Sequence, residues 1–137
     1  MANEYVRNLT DLAKTVTKAL PAANANHNTP TIDLEQVTGG LIEAIAFEVA
    51  IPATPNLVEA KTITVTVQDS ADDSSYAAID PAISTTVVGA ALAAGGAAKT
   101  VRFRLPPTAR RYIQLNLAVA NGGGDNTGVD VTFRLLA

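Results

Sequence analysis

The sequence predicts an all-β protein, an antiparallel β-sandwich of about eight strands behind a short N-terminal arm. Three observations predict it. In the last third of the chain, three runs alternate apolar and polar residues. Val101, Phe103 and Leu105 oppose Arg102 and Arg104. Ile113, Leu115, Leu117 and Val119 oppose Gln114, Asn116 and Ala118. Val129, Val131, Phe133 and Leu135 oppose Asp130, Thr132 and Arg134. Alternation at period two describes strands with one buried face. Threonine, a strand former, is concentrated at 61–68, where Ile63, Val65 and Val67 alternate with Thr62, Thr64 and Thr66. Turn signals at Pro106-Pro107 and Gly122-Gly123-Gly124 separate the runs.

Residues 1–30 form an arm and loop, and 31–137 form the sandwich domain. Leu9, Leu12, Val16 and Leu20 are spaced for one helical face that Pro21 would end. They suit an amphipathic turn packed on the domain edge, or an extended arm that anchors on a neighbour. A short strand is read near 31–35. Leu41, Ile45, Phe47, Val49 and Ile51 then alternate up to Pro52. After the strand at 62–68 comes a polar turn at 69–75. Short strands at 76–79 and 85–88 flank Pro81, and an Ala/Gly loop fills 89–98. The chain is expected to end in one antiparallel sheet, with the glycine run turning between two of its strands.

Composition limits the chemistry. A chain of 137 residues is one domain by length, and it can bury a core without disulfide or metal support. There is no cysteine, so thiol catalysis and thiolate metal sites are excluded. The net charge of −3 argues against nucleic acid as a partner. Charges interrupt the first 20 residues, and the apolar stretch at 87–98 is too short to span a bilayer, so no membrane partner is expected. His27 is the single histidine and lies in an Asn-rich loop, without the partners a catalytic triad needs. Asp69, Asp72, Asp73 and Asp80 lack the spacing of a calcium loop. Glu43 and Glu48 fall on opposite faces of their strand and make a poor acid–base pair. The glycine run lacks the lysine of a phosphate loop. No cofactor, no metal and no enzymatic activity are expected.

One cluster is site-like. Lys99, Arg102, Arg104, Arg110 and Arg111 supply five of the ten Lys and Arg residues. They suit either a solvated face with local ion pairs or contact with an acidic protein surface, where guanidinium pairs with carboxylate in a planar fork. Single-stranded nucleic acid would want aromatic stacking between the charges, and Tyr112 alone is placed for that.

The same region carries a resemblance. An arginine-bearing strand (101–105), a Pro-containing turn, the long Arg-Arg-Tyr-led strand (110–120), the glycine turn (122–124) and a last apolar strand (129–135) resemble the capsid cement, or decoration, proteins of short-tailed bacteriophages. Strand count alone fits both jelly-roll and immunoglobulin-like sandwiches, and the resemblance favours the jelly roll. It implies a homotrimer on the outside of an icosahedral head, bound to the major capsid protein near three-fold positions and made in the host cytoplasm. Arg102, Arg104, Arg110 and Arg111 are then expected at subunit or capsid contacts, with Leu9, Leu12 and Val16 as a second anchor. A stand-alone β-sandwich module for carbohydrate or a cell surface is the alternative, and it would use Tyr76 and Tyr112.

Overall fold

The computed structural model describes residues 15–34, 46–106 and 108–136. Among them are ten strands and no helix. Four form one antiparallel sheet, in the order β1 (Thr15–Ala19), β10 (Asp130–Leu136), β4 (Ala46–Ile51), β8 (Lys99–Arg104). The other sheet is built around β9 (Tyr112–Val119) and β5 (Thr62–Ser70). Outside β9 lie β2 (Ala25–Asn28) and β3 (Ile32–Asp33). Outside β5 lie β6 (Ala77–Ala78) and β7 (Ser84–Val88).

The two short pairs are interrupted single strands. Asn28 pairs with Asn116 and Ile32 with Ile113, so one extra residue is accommodated on the β2–β3 side. That is a β-bulge, and it falls at Pro30, which has no N–H to donate. Thr29 bridges the gap. Its N–H donates to the Leu115 carbonyl at 2.9 Å, and its hydroxyl accepts the Leu115 N–H at 3.0 Å. The cis Asp80-Pro81 bond lies between β6 and β7, which both pair with β5. Counted this way, each sheet has four strands, and the chain crosses between sheets at nearly every step. This is a jelly roll.

The core sits between the sheets. The four-stranded sheet contributes aromatic rings, with Phe47, Phe103 and Phe133 stacked at centroid distances of 5.3 to 6.2 Å. The other sheet contributes Ile63, Val65, Val67, Ile113, Leu115, Leu117 and Val119, all buried. These are the sides expected from alternation.

Two expectations are corrected. The arm expected over residues 1–30 does not reach that far, since 15–19 and 25–28 are strands of the sandwich. β1 pairs with β10 along its whole length, and β2 with β9. Val16 and Leu20 do share a side. A spacing of four is even, so it fits a strand as well as a helix, and the β-branched Thr15, Val16 and Thr17 favour the strand. Leu9 and Leu12 lie outside the described residues. The last three strands do not form one sheet either. β8 and β10 belong to the four-stranded sheet and β9 to the other. The glycine run therefore crosses between sheets. Gly122 and Gly124 hold φ of 78° and 87°, and a Cβ on Gly124 would meet the Asn56 carbonyl oxygen at 2.4 Å.

Candidate functional site

The outer face of the four-stranded sheet carries a row of charge that the sequence does not place together. Strand alternation turns Glu48, Arg102 and Arg134 away from the core. Register then aligns them, since Glu48 is the cross-strand partner of both Arg102 on β8 and Arg134 on β10. Arg102 donates from Nε to Glu48 Oε2 at 2.8 Å. Arg134 pairs through an Nη with the other carboxylate oxygen. Two guanidiniums thus share one carboxylate.

Burial makes the arrangement stringent. The Glu48 side chain is 5% exposed, beneath Arg102 at 70% and Arg134 at 41%. A carboxylate out of water needs charged partners to remain ionised. The hydrogen bond from Arg102 holds Glu48 below the usual carboxylate range. Desolvation opposes this, and Arg134 reinforces it. The Nε of Arg134 is itself buried and has no hydrogen-bond partner among the described residues. Ala46 and Ala50 share the outward side of β4 with Glu48, and Arg104 stands opposite Ala46 on β8.

The other arginines of the cluster go elsewhere. Arg110 clasps Asp69 on β5. Its backbone N–H donates to Oδ2 at 2.9 Å, its Nε and Nη2 donate to Oδ1 at 3.1 and 2.7 Å, and Nη2 also reaches the Asp69 carbonyl at 3.1 Å. That pairing raises the Arg110 pKa. The Asp69 side chain is 6% exposed, so the clasp ties the approach to β9 onto the end of β5. Arg111 makes a planar fork with Asp33 at 2.7 and 2.9 Å and lies over the Tyr112 ring at 5.0 Å. Arg104 lies two residues beyond Arg102 on the same side of β8 and is also engaged in an interaction. Val16 is half-buried against the core.

Sequence reasoning grouped Arg102 and Arg104 with Arg110 and Arg111, but the first pair stands on β8 and the second lies before β9 and pairs with acids of the other sheet. It missed Arg134 and the role of Glu48. The available signal was a Glu at an outward position of β4 and an Arg at an outward position of β10. Their register was not readable.

The remaining candidates resolve simply. Asp72 accepts the N–H groups of Ser74 and Ser75 and the Ser70 hydroxyl, which lowers its pKa, the Ser75 bond most. Tyr76 donates to Asp73, and burial, with that bond second, raises its pKa. His27 hydrogen-bonds the Ala19 carbonyl at 2.6 Å. Among the described residues, no group of three or more His, Cys, Asp or Glu is placed to hold a metal ion, and no helix is long and apolar enough to cross a membrane. The outer face of the sheet built on β9 and β5 carries side-chain amides. Asn116 donates to Asn26 and Asn28, and Gln114 to Gln68.

The Bbp16 family model matches residues 14–132. The chain belongs to the Bbp16 family. That family is phage-associated by name, and its match begins beside β1 and takes in Glu48 and Arg102. No curated protein matches the sequence. Among solved structures, the chain is similar to the enzymatically active domain of tailspike protein 4 from bacteriophage CBA120, with 15% identity and a TM-score of 0.45 over 88% of this chain and 14% of that one. It is similar to the CBM22-1–GH10 modules of xylanase 10B from Clostridium thermocellum, with 15% identity and a TM-score of 0.38 over 92% and 26%. A family 16 carbohydrate-binding module gives 9% identity and a TM-score of 0.36 over 85% and 70%. The chain thus spans a seventh and a quarter of the first two. Likeness at this level says nothing of what this chain binds.

Proposed function

We propose that this Bbp16-family protein is a non-enzymatic structural component of a phage particle. It binds the outer surface of the icosahedral head and cements neighbouring copies of the major capsid protein, as a homotrimer near three-fold positions. The family match over nearly all of the described sandwich carries the phage part of the reading, and the resemblance of strands 101–105, 110–120 and 129–135 to cement proteins is what suggests cementing and a trimer. A jelly roll with an outward arginine row supports a role in contact. Cementing needs no covalent step. An interface that exists only on the assembled shell shifts the equilibrium toward the intact particle by mass action.

The carbohydrate-module reading is weaker on geometry. It needs open aromatic platforms, but the Arg111 guanidinium covers the Tyr112 ring. The Tyr76 hydroxyl is committed to Asp73.

The test is addition of the purified protein to heads that lack it, read by co-sedimentation and by the melting temperature of the heads. Saturable binding with a raised head melting temperature is the expected result. No binding overturns the proposal. Light scattering on the free protein checks the trimer, which has three times the 14.1 kDa of one chain.

A further inference from the structure

The arginine row has more donors than acceptors. A guanidinium offers five N–H groups in a fixed fork. Arg102 spends its Nε on Glu48, and its side chain is 70% exposed. Arg134 spends an Nη on the same carboxylate, while its buried Nε has no partner among the described residues. One carboxylate therefore neutralises one of two cations. The row keeps a net positive charge and open guanidinium edges facing solvent.

The row is also fixed in place. Glu48 and Arg134 stand on inner strands of the sheet and Arg102 on the adjoining edge strand, in direct register. Their shared carboxylate restrains both long side chains before any partner arrives, which lowers the ordering cost of binding. Ala46 and Ala50 flank Glu48 on the outward side of β4, so no bulky β4 side chain stands over the guanidiniums.

We propose that the Arg102–Glu48–Arg134 row is a seat for one carboxylate side chain of an acidic partner surface. The incoming Asp or Glu completes a two-to-two arrangement with Glu48. Arg102 makes the direct contact, and Glu48 is a positioning residue. Carboxylate is favoured over nucleic acid because the whole chain carries a charge of −3, and all three Phe rings stack with one another rather than standing among the charges. The identity of the surface as the phage head rests on the function proposed above, whereas the carboxylate seat itself does not.

The experiment has two arms. In the first, a pentaglutamate peptide is titrated into the full-length protein, and the arginine Nε–H resonances are followed by NMR. Decathymidylate is titrated in parallel. Shifts at Arg102 and Arg134 with pentaglutamate are expected. They should vanish in Arg102→Ala and fall strongly in Arg102→Lys, because an ammonium cannot replace the planar fork. In the second, the same variants are bound to heads that lack the protein, and affinity is expected to fall roughly tenfold or more for Arg102→Ala. Arg134 still holds Glu48 in both variants, so the fold survives, and thermal melts verify it. The seat is overturned if pentaglutamate leaves both resonances unmoved, if decathymidylate binds in preference, or if Arg102→Ala shifts like the wild type. Failure of wild-type head binding with intact pentaglutamate shifts would instead sink the head proposal and leave the seat standing.

Discussion

Arg110 and Arg102 lie eight positions apart in one basic stretch, and each holds a nearly buried carboxylate. The two pairs differ in saturation. Asp69 is gripped by the side chain and backbone of a single arginine, which leaves one cation on one anion. Glu48 is shared between two arginines, each bound at one point. The first pair is closed on itself and fastens a chain segment to β5. The second is open and presents charge outward. A charged cluster in sequence is therefore not a surface until the local acids have been counted against it. An arginine already satisfied within the chain has little left to offer a partner.

The largest expected effect is Arg110→Ala. It leaves the Asp69 carboxylate buried without its cation and unties the approach to β9. Thermal unfolding by circular dichroism should show a fall in Tm of roughly 5–10 °C. An unchanged Tm would erase the distinction between the clasp and the open row.

Acid titration probes the open row. Folding lowers the Glu48 pKa from its ordinary 4.5, so the unfolded chain takes up the proton first. The Glu48 contribution to stability is complete above that ordinary value and is lost as pH falls through the lower folded value. Denaturant unfolding from neutral pH to about pH 3 should therefore show a shallower acid loss in Glu48→Gln than in the wild type, with lower stability at neutral pH. An identical acid slope would mean that Glu48 is not the titrating anchor.

Arg102→Ala should change Tm by about 3 °C or less, because Arg134 remains on Glu48 and Arg102 is mostly exposed. A loss as large as that of Arg110→Ala would make the two pairs alike. The smallest effect is expected from Arg111→Ala. Its partner Asp33 is 36% exposed and Arg111 itself 46%, and exposed pairs contribute about 0.5 kcal/mol. Urea denaturation measures it.

Much of the fold was legible because strand alternation is a local property. The buried sides of β5, β9 and β10 follow from Ile63–Val65–Val67, Ile113–Leu115–Leu117–Val119 and Val131–Phe133. β1 was not legible as a strand, since the spacing of Val16 and Leu20 fits both periods. The site was legible only as a list of arginines. Arg102 meets Glu48 across 54 positions, Arg110 meets Asp69 across 41 and Arg111 meets Asp33 across 78. No local pattern spans such distances.

Residue type and spacing alone establish which side of each long strand is apolar, where prolines and glycines interrupt pairing, and that cysteine chemistry is excluded. These depend on residue type and on a period of two, both written along the chain. Which sheet each strand joins, and with it which acid each arginine meets, depends on how the strands are arranged in space. A strand with one apolar face can pack against the core from either sheet. β8, β9 and β10 therefore read alike in sequence, yet they alternate between sheets. Cross-strand register then set Glu48 between Arg102 and Arg134, a juxtaposition that arises only when β4, β8 and β10 are laid side by side.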